Sequence, residues 1–278
     1  MRASSEASGE RERGLVDWFR EAGPVLLGFS GGVDSSYLAA VAVEALGASR
    51  VLAVLGVSAS LADEQRAVAR DVATRVGVPL VEVPTFELDD PAYAANPTDR
   101  CYFCKRELWG RLAPLGRERG MVIVDGTNAD DLADWRPGGR AAEQAGVRSP
   151  LAELGFTKAE IRARSAARGL PTAELPAAPC LASRLPYGTA VTTDRLAMVG
   201  RAESALRGVG IGGDLRVRHH GELARVELGP EELARCADAA RLREIRAAVR
   251  GAGYARVAID LRGFRSGSLN VLGGVVAA

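Results

Sequence analysis

From Pro24 to Gly146, short β-rich apolar runs alternate with longer helical stretches, a pattern that predicts βαβ units around a parallel sheet. The predicted strands are 25–29, 51–55, 80–83 and 121–125. A helix is predicted from about Val33 to Leu46, stopped by Gly47, and another from about Ala62 to Val76. Pro84 to Pro97 reads as a loop, after which Thr98 can cap a helix that carries Cys101, Cys104 and Trp109 on to Glu118. Thr157 and Glu160 form a capping box ahead of Ile161. Leu170 to Tyr187 is dense in Pro and Ala and predicts an irregular link between domains. Beyond it the periodicity predicts helix (194–206), two strands (215–217 and 224–228), helix (231–249) and strand (256–261), a small α+β domain. The expected fold is therefore α/β: a doubly wound, mostly parallel sheet over 15–187, a smaller α+β domain over 188–278, and a flexible polar tail over 1–14.

Composition narrows the class of protein. At 278 residues, nearly half of them hydrophobic, the chain can bury a sizeable core. No apolar run approaches the roughly 20 residues that span a bilayer, and the polar N-terminus lacks a signal-peptide core. A cytoplasmic protein with reduced thiols is expected. A formal charge of +1, from 36 basic and 35 acidic residues, gives no reason to expect nucleic acid as a partner.

The turn Ser30-Gly31-Gly32-Val33-Asp34-Ser35 lies between a predicted strand and a predicted helix. Such a turn gathers backbone N–H groups where the helix dipole also favours an anion. Gly31 and Gly32 admit positive φ and close approach of phosphate, Ser30 and Ser35 offer hydroxyls, and Asp34 can orient Mg2+. A Gly-Lys-Ser/Thr sequence is absent, which excludes the Walker-type loop. The hexapeptide resembles the SGGxDS loop of the PP-loop ATPases. That resemblance implies ATP binding, cleavage to AMP and pyrophosphate, and adenylation of a substrate oxygen. Ser58, past the second strand, and Gly126-Thr127-Asn128, past the fourth, then fall where adenosine contacts are expected or serve as ordinary loop residues.

Cys101 and Cys104 stand three apart, so a helix presents both thiols on one face near its N-terminus. The pair is a half-site and needs further ligands for a metal. Cys180 lies in the Pro-rich segment, where a presented, reactive thiol is expected, and Cys236 in an Ala-rich helix is a small core residue. Asn96-Pro97-Thr98-Asp99-Arg100-Cys101-Tyr102-Phe103-Cys104-Lys105, Gly155-Phe156-Thr157-Lys158, Pro179-Cys180-Leu181-Ala182-Ser183-Arg184 and Pro186-Tyr187-Gly188 resemble the LarE family. The likeness runs from the phosphate turn to 262–268. It implies an ATP-dependent sulfur transferase of nickel-pincer nucleotide synthesis, the cofactor of lactate racemase. The implied substrate is pyridinium-3,5-biscarboxylic acid mononucleotide, one carboxylate of which is adenylated and becomes a thiocarboxylate. Cys180 is the implied catalytic thiol, either as sulfur donor or, with Cys101 and Cys104, as ligand of a [4Fe-4S] cluster that carries sulfide. A homo-oligomer is implied as well. Thr172-Ala173-Glu174-Leu175 stands where family members often have a Trp and a Lys.

Arg216 and Arg218 alternate with Val217 on a predicted strand, so both guanidiniums share one face. The resemblance makes them, with Arg265, a grip on the substrate's phosphate; the alternative is a solvated strand face. Glu203 matches an acidic family position. His219 and His220 point to opposite faces and read as structural. Asp130, Asp131 and Asp134 are read as a solvated helix start or a Mg2+ site. Two other functions compete with the sulfur transferase: a PP-loop tRNA thiolase with an iron–sulfur cluster, and a nucleotide-binding regulatory module.

Overall fold

The computed structural model describes residues 2–133 and 137–265; Asp134 and the 266–268 end of the C-terminal motif lie outside the described residues. In chain order the elements are α1 (Arg2–Ala22), β1 (Val25–Gly28), α2 (Val33–Leu46), β2 (Val51–Val57), α3 (Asp63–Val76) and β3 (Leu80–Pro84). There follow α4 (Pro91–Ala94), α5 (Arg100–Glu118), β4 (Val122–Val124), α6 (Pro137–Gln144), α7 (Pro150–Glu153), α8 (Lys158–Ala167) and α9 (Thr193–Gly208). The C-terminal part holds β5 (Leu215–His220), β6 (Leu223–Leu228), α10 (Pro230–Arg235), α11 (Ala239–Gly251) and β7 (Arg256–Ile259). Two compact units result, one from residues up to Ser58 with Gln65–Glu87 and Cys101–Ala178, the other from Ala59–Glu64, Leu88–Arg100 and the chain from Pro179. The single boundary expected at 187 is thus replaced by a second unit that also takes 88–100 and 179–187. Asn96 explains this: fully buried, it donates from Nδ2 to the carbonyls of Pro186 (2.8 Å) and Thr189 (2.9 Å).

In the first unit the sheet order is β3-β2-β1-β4, with every pair parallel. β1 and β2 are apolar on both faces because helices cover both. On one face Leu26, Leu52 and Val54 meet Trp109 and Leu112 of α5 and Ala141 of α6. Trp109 fits because Gly28 has no side chain; a Cβ there would lie 2.5 Å from the indole. Helices α1, α2 and α8 pack together.

The expected flexible tail is corrected by α1, which is helical from Arg2. Leu15 and Phe19 are fully buried, and Glu12 pairs with Arg164 and with Arg168 (2.5 Å) while accepting from the Tyr37 hydroxyl (3.2 Å). Burial, then the charge of Glu12, pushes the Tyr37 phenol well above its ordinary value. A charged hydrogen bond contributes about 1.5–3 kcal/mol, so Glu12→Gln is expected to lower the unfolding free energy by about 2 kcal/mol. An unchanged urea midpoint for Glu12→Gln would show that α1 does not depend on this network.

The second unit carries the sheet β5-β6-β7, antiparallel between β5 and β6 and parallel between β6 and β7. Val217, Val226, Leu206, Ile245 and Tyr254 form its core with Cys236. The helix expected over 231–249 is two helices. Asp238 caps α11 by accepting from Ala240 N (2.9 Å), and a short side-chain acceptor favours that cap over a helix interior. Burial raises the Cys236 thiol, as befits an inert packing residue. His219 is buried against the Tyr254 hydroxyl (3.1 Å) and burial lowers its pKa, while His220 is exposed. Among the described residues no helix is long and apolar enough to cross a membrane.

Candidate functional site

The strand order reverses between β1 and β4, and in an open parallel sheet a ligand crevice forms beyond the carboxyl ends at that point. β1 runs into the turn Ser30–Ser35, which opens α2, and β4 runs into Gly126-Thr127-Asn128. Gly32 occupies the N-cap of α2 without a side-chain cap, leaving first-turn N–H groups for an anion. The hydroxyls of Ser30 and Ser35 face each other at 3.1 Å, and Ser30 Oγ accepts from Gly32 N at 3.3 Å.

Two glycines in this crevice are obligatory. Gly31 has φ +70°, and a Cβ on it would lie 2.6 Å from the Ala69 Cα. A Cβ on Gly126 would lie 2.9 Å from the Ser35 nitrogen, so β4 approaches α2 only without a side chain. Gly31→Ala is expected to cost about 2 kcal/mol of stability and to disrupt nucleotide binding; wild-type stability with intact binding would contradict this geometry.

Asp34 is the centre of the crevice. Its Oδ1 accepts from Asn128 Nδ2 (3.3 Å), and its Oδ2 pairs with Lys158 Nζ. Asn128 is fully buried and accepts, through Oδ1, from the backbone of Asp130 (3.0 Å) and Asp131 (3.2 Å). Asp130 in turn accepts from Lys158 N (2.7 Å) and Asp131 from Asn128 N (3.2 Å). Both aspartates therefore shape a 3-10 turn at 130–133, which favours their reading as a structural start. Thr157 caps α8, as its sequence announces, by accepting from Glu160 N. Thr127 is turned onto Asp125, by backbone (3.1 Å) and hydroxyl (3.0 Å). Ser58 donates to buried Glu87 (2.5 Å) at the end of β2. Lys158 is the residue that sequence reasoning missed: it was visible as part of Gly155–Lys158, but nothing local ties position 158 to position 34.

In the second unit, Cys180 is partly buried at the start of a 3-10 turn, 181–184. Arg184 donates to the carbonyls of Pro179 (2.6 Å) and Cys180 (3.1 Å) and is bidentate to Glu203 (3.0 and 2.9 Å). Glu203 also accepts from Val217 N at 2.9 Å, tying the loop to β5. From the other side Leu181 N donates to the Ser60 carbonyl (2.8 Å), and Arg100 donates to the Ala182 carbonyl (3.1 Å) and to Asn96. The Cys180 segment, expected to be irregular, is thus held residue by residue.

Arg216 and Arg218 are 8% and 5% exposed, which removes the solvated-face alternative. Arg218 donates to Glu227 (2.9 Å) and to the Ser183 carbonyl (3.0 Å); Arg216 donates to the Leu215 carbonyl (2.6 Å) and lies over the Phe264 ring. Burial first, then the charge of Arg184, lowers the Arg216 pKa to about 10 despite Glu203. The Arg216 guanidinium is thus buried beside like charge. Arg265 follows Phe264 and is exposed.

Cys101 and Cys104 lie in the first turns of α5, exposed and half-buried, and neither they nor Cys180 is part of a disulfide. In kind they are the donors an iron–sulfur cluster takes. Among the described residues no group of three or more His, Cys, Asp or Glu side chains is placed to hold a metal ion.

Residues 16–97 match the family model for NAD synthase. The chain is 34% identical over 258 residues, 92% of each chain, to the pyridinium-3,5-bisthiocarboxylic acid mononucleotide synthase of Lactiplantibacillus plantarum. It is 44% identical to an uncharacterized protein of Synechocystis, over 92% of this chain and 95% of that one. An uncharacterized protein of Methanocaldococcus jannaschii is 31% identical over 62% of this chain and 66% of its own.

Proposed function

Because the chain belongs to the LarE family of pyridinium-3,5-bisthiocarboxylic acid mononucleotide synthases, we propose that it is an ATP-dependent sulfur transferase that turns a carboxylate of pyridinium-3,5-biscarboxylic acid mononucleotide into a thiocarboxylate. The observation that carries this reading is Cys180, half-exposed on a loop clamped by Arg184 and Glu203. A thiol so held can meet an activated carbonyl without reorganisation of its backbone.

The chemistry has two halves. A substrate carboxylate oxygen attacks the α-phosphorus of ATP, and pyrophosphate leaves toward the N–H groups and hydroxyls of Ser30–Ser35; Asp34 would hold Mg2+, which would offset phosphate charge. Ser58, Gly126, Thr127 and Asn128 flank the adenosine. A sulfur nucleophile then adds to the carbonyl carbon of the acyl adenylate and AMP leaves with the electron pair of the C–O bond. If Cys180 is that nucleophile, its thioester yields thiocarboxylate when the Cβ–S bond breaks and the Cα proton is lost, leaving dehydroalanine. Cys101, Cys104 and Cys180 are the kind of donor that a [4Fe-4S] cluster takes to supply sulfide, but as placed they form no metal-holding group. Soft sulfur in the product suits a late first-row metal.

Arg216 and Arg218, with Arg265, grip the substrate phosphate. A charged contact to phosphate is worth about 1.5–3 kcal/mol, so Arg216→Ala is expected to weaken binding of the mononucleotide substrate roughly ten- to a hundred-fold and to leave ATP binding unchanged. Equal losses for both ligands would break the assignment. The proposal as a whole is tested by supplying ATP, Mg2+ and the biscarboxylic mononucleotide, then following pyrophosphate, AMP and the 16 Da gain of the product on replacing oxygen by sulfur, about 32 for about 16.

A further inference from the structure

We propose that Arg100 is a positioning residue for sulfur transfer: with Asn96 it clasps the loop that presents Cys180, and so decides whether an activated carboxylate meets the thiol or water. The inference rests on the sulfur-transferase reading above. Asn96 and Arg100 stand four apart in the chain and are 0% and 5% exposed. One nitrogen of Arg100, Nη1, donates both to Asn96 Oδ1 and to the Ala182 carbonyl (3.1 Å), two residues beyond Cys180. The Asn96 amide takes the far end of the same loop, donating to the carbonyls of Pro186 (2.8 Å) and Thr189 (2.9 Å). Backbone bonds run alongside: Gly188 N donates to the Asn96 carbonyl (2.9 Å) and Val191 N to the Ala94 carbonyl (2.8 Å). Two side chains thereby fix both ends of 182–189.

The clasp is costly to form. Among the described residues Asn96 alone, glycines aside, has a positive φ (+56°), and Pro97 after it restricts the same backbone further. A buried guanidinium gives up its hydration, and both acceptors of Nη1 are neutral oxygens. Apolar packing would hold a loop without that desolvation. Strain and buried charge persist together where the surroundings over-determine one geometry, and the geometry fixed here is the backbone beside a partly exposed thiol. Arg184, through Glu203, and Arg218 hold 179–184 against α9 and β5. Arg100 adds the restraint from a third segment, and Asn96 extends it to 186–189. With the clasp open, the thiol strays from the carbonyl carbon of the acyl adenylate; water adds there instead, and carboxylate and AMP return.

Two readouts on Arg100→Ala in the full chain test this. The first is thiocarboxylate formed per pyrophosphate released. That ratio is expected to fall about ten- to a hundred-fold, while pyrophosphate release stays within about twofold of wild type because adenylation uses other groups. The second needs no turnover: the rate at which iodoacetamide alkylates each cysteine, followed peptide by peptide by mass spectrometry. Cys180 is expected to react several-fold faster in the variant, and Cys236, buried in the core of the same unit, at its wild-type rate. Arg100→Lys is expected to restore most of both readouts, because a single ammonium can make the two bonds that Nη1 makes. Should Arg100→Ala not fold, Arg100→Gln, which removes the charge and keeps an amide donor, takes its place with the same expectations. An unchanged ratio of thiocarboxylate to pyrophosphate overturns the proposal. So does a Cys236 rate that rises in step with that of Cys180, which would make Arg100 a residue of general stability. If the wild-type chain forms product and the variant keeps its ratio, only the role of Arg100 fails; if the wild-type chain releases pyrophosphate but forms no thiocarboxylate, the sulfur-transferase reading fails with it.

Discussion

Replacing Cys180 by alanine is expected to abolish thiocarboxylate formation while pyrophosphate is still released from ATP in the presence of the mononucleotide substrate. The two halves of the reaction use different groups. In the proposed reaction, adenylation would draw on the Ser30–Ser35 turn and Asp34, whereas capture of the acyl adenylate would draw on the thiol. Alanine at 180 leaves intact the carbonyl that Arg184 holds at 3.1 Å, so the loop keeps its clamp and only sulfur is lost. The activated acyl group then has water as its only acceptor, and ATP is consumed without product. The same assay on Cys101→Ala and Cys104→Ala resolves the sulfur source. With a cluster on three thiolates, each variant loses iron and product together. Harmless Cys101→Ala and Cys104→Ala, with a single turnover and a mass loss of about 34 Da at position 180, would make Cys180 the donor by itself. Thiocarboxylate formed at the wild-type rate by Cys180→Ala would remove Cys180 from the chemistry.

Asp34→Ala is expected to reduce pyrophosphate release about a hundred- to a thousand-fold, equivalent to about 3–4 kcal/mol in the barrier. The variant removes the carboxylate proposed to hold Mg2+ and leaves Lys158 and Asn128 without their shared acceptor. The fold should survive, since Asp34 fills no core volume and the body of α2 is anchored by Tyr37, Leu38 and Val41, all fully buried. Far-ultraviolet circular dichroism and the melting temperature report that separately from activity. Pyrophosphate release within threefold of wild type, about 0.7 kcal/mol, would take Asp34 out of the phosphate site.

The sequence alone determined the elements whose causes are local. Alternation of apolar runs with helical stretches marked β1–β4 and α2, Gly47 stopped α2, and Thr157 announced the start of α8. The hexapeptide at 30–35 marked the crevice because strand, glycines and helix N-terminus are adjacent in the chain. What only the tertiary structure decided are the long-range pairings. Lys158 reaches Asp34 across 124 positions, Asn96 holds the 186–189 turn from 90 and 93 positions away, and Glu203 joins Arg184 to the Val217 backbone. A polar side chain carries the same local pattern whether it faces water or a buried partner, so no periodicity distinguishes Arg216 and Arg218 on a solvated strand from the two buried guanidiniums observed. The N-terminal helix is the same case: Arg and Glu over 10–13 read as a polar tail until Arg164, Arg168 and Tyr37 close around Glu12, because only their burial turns exposed charge into attachment.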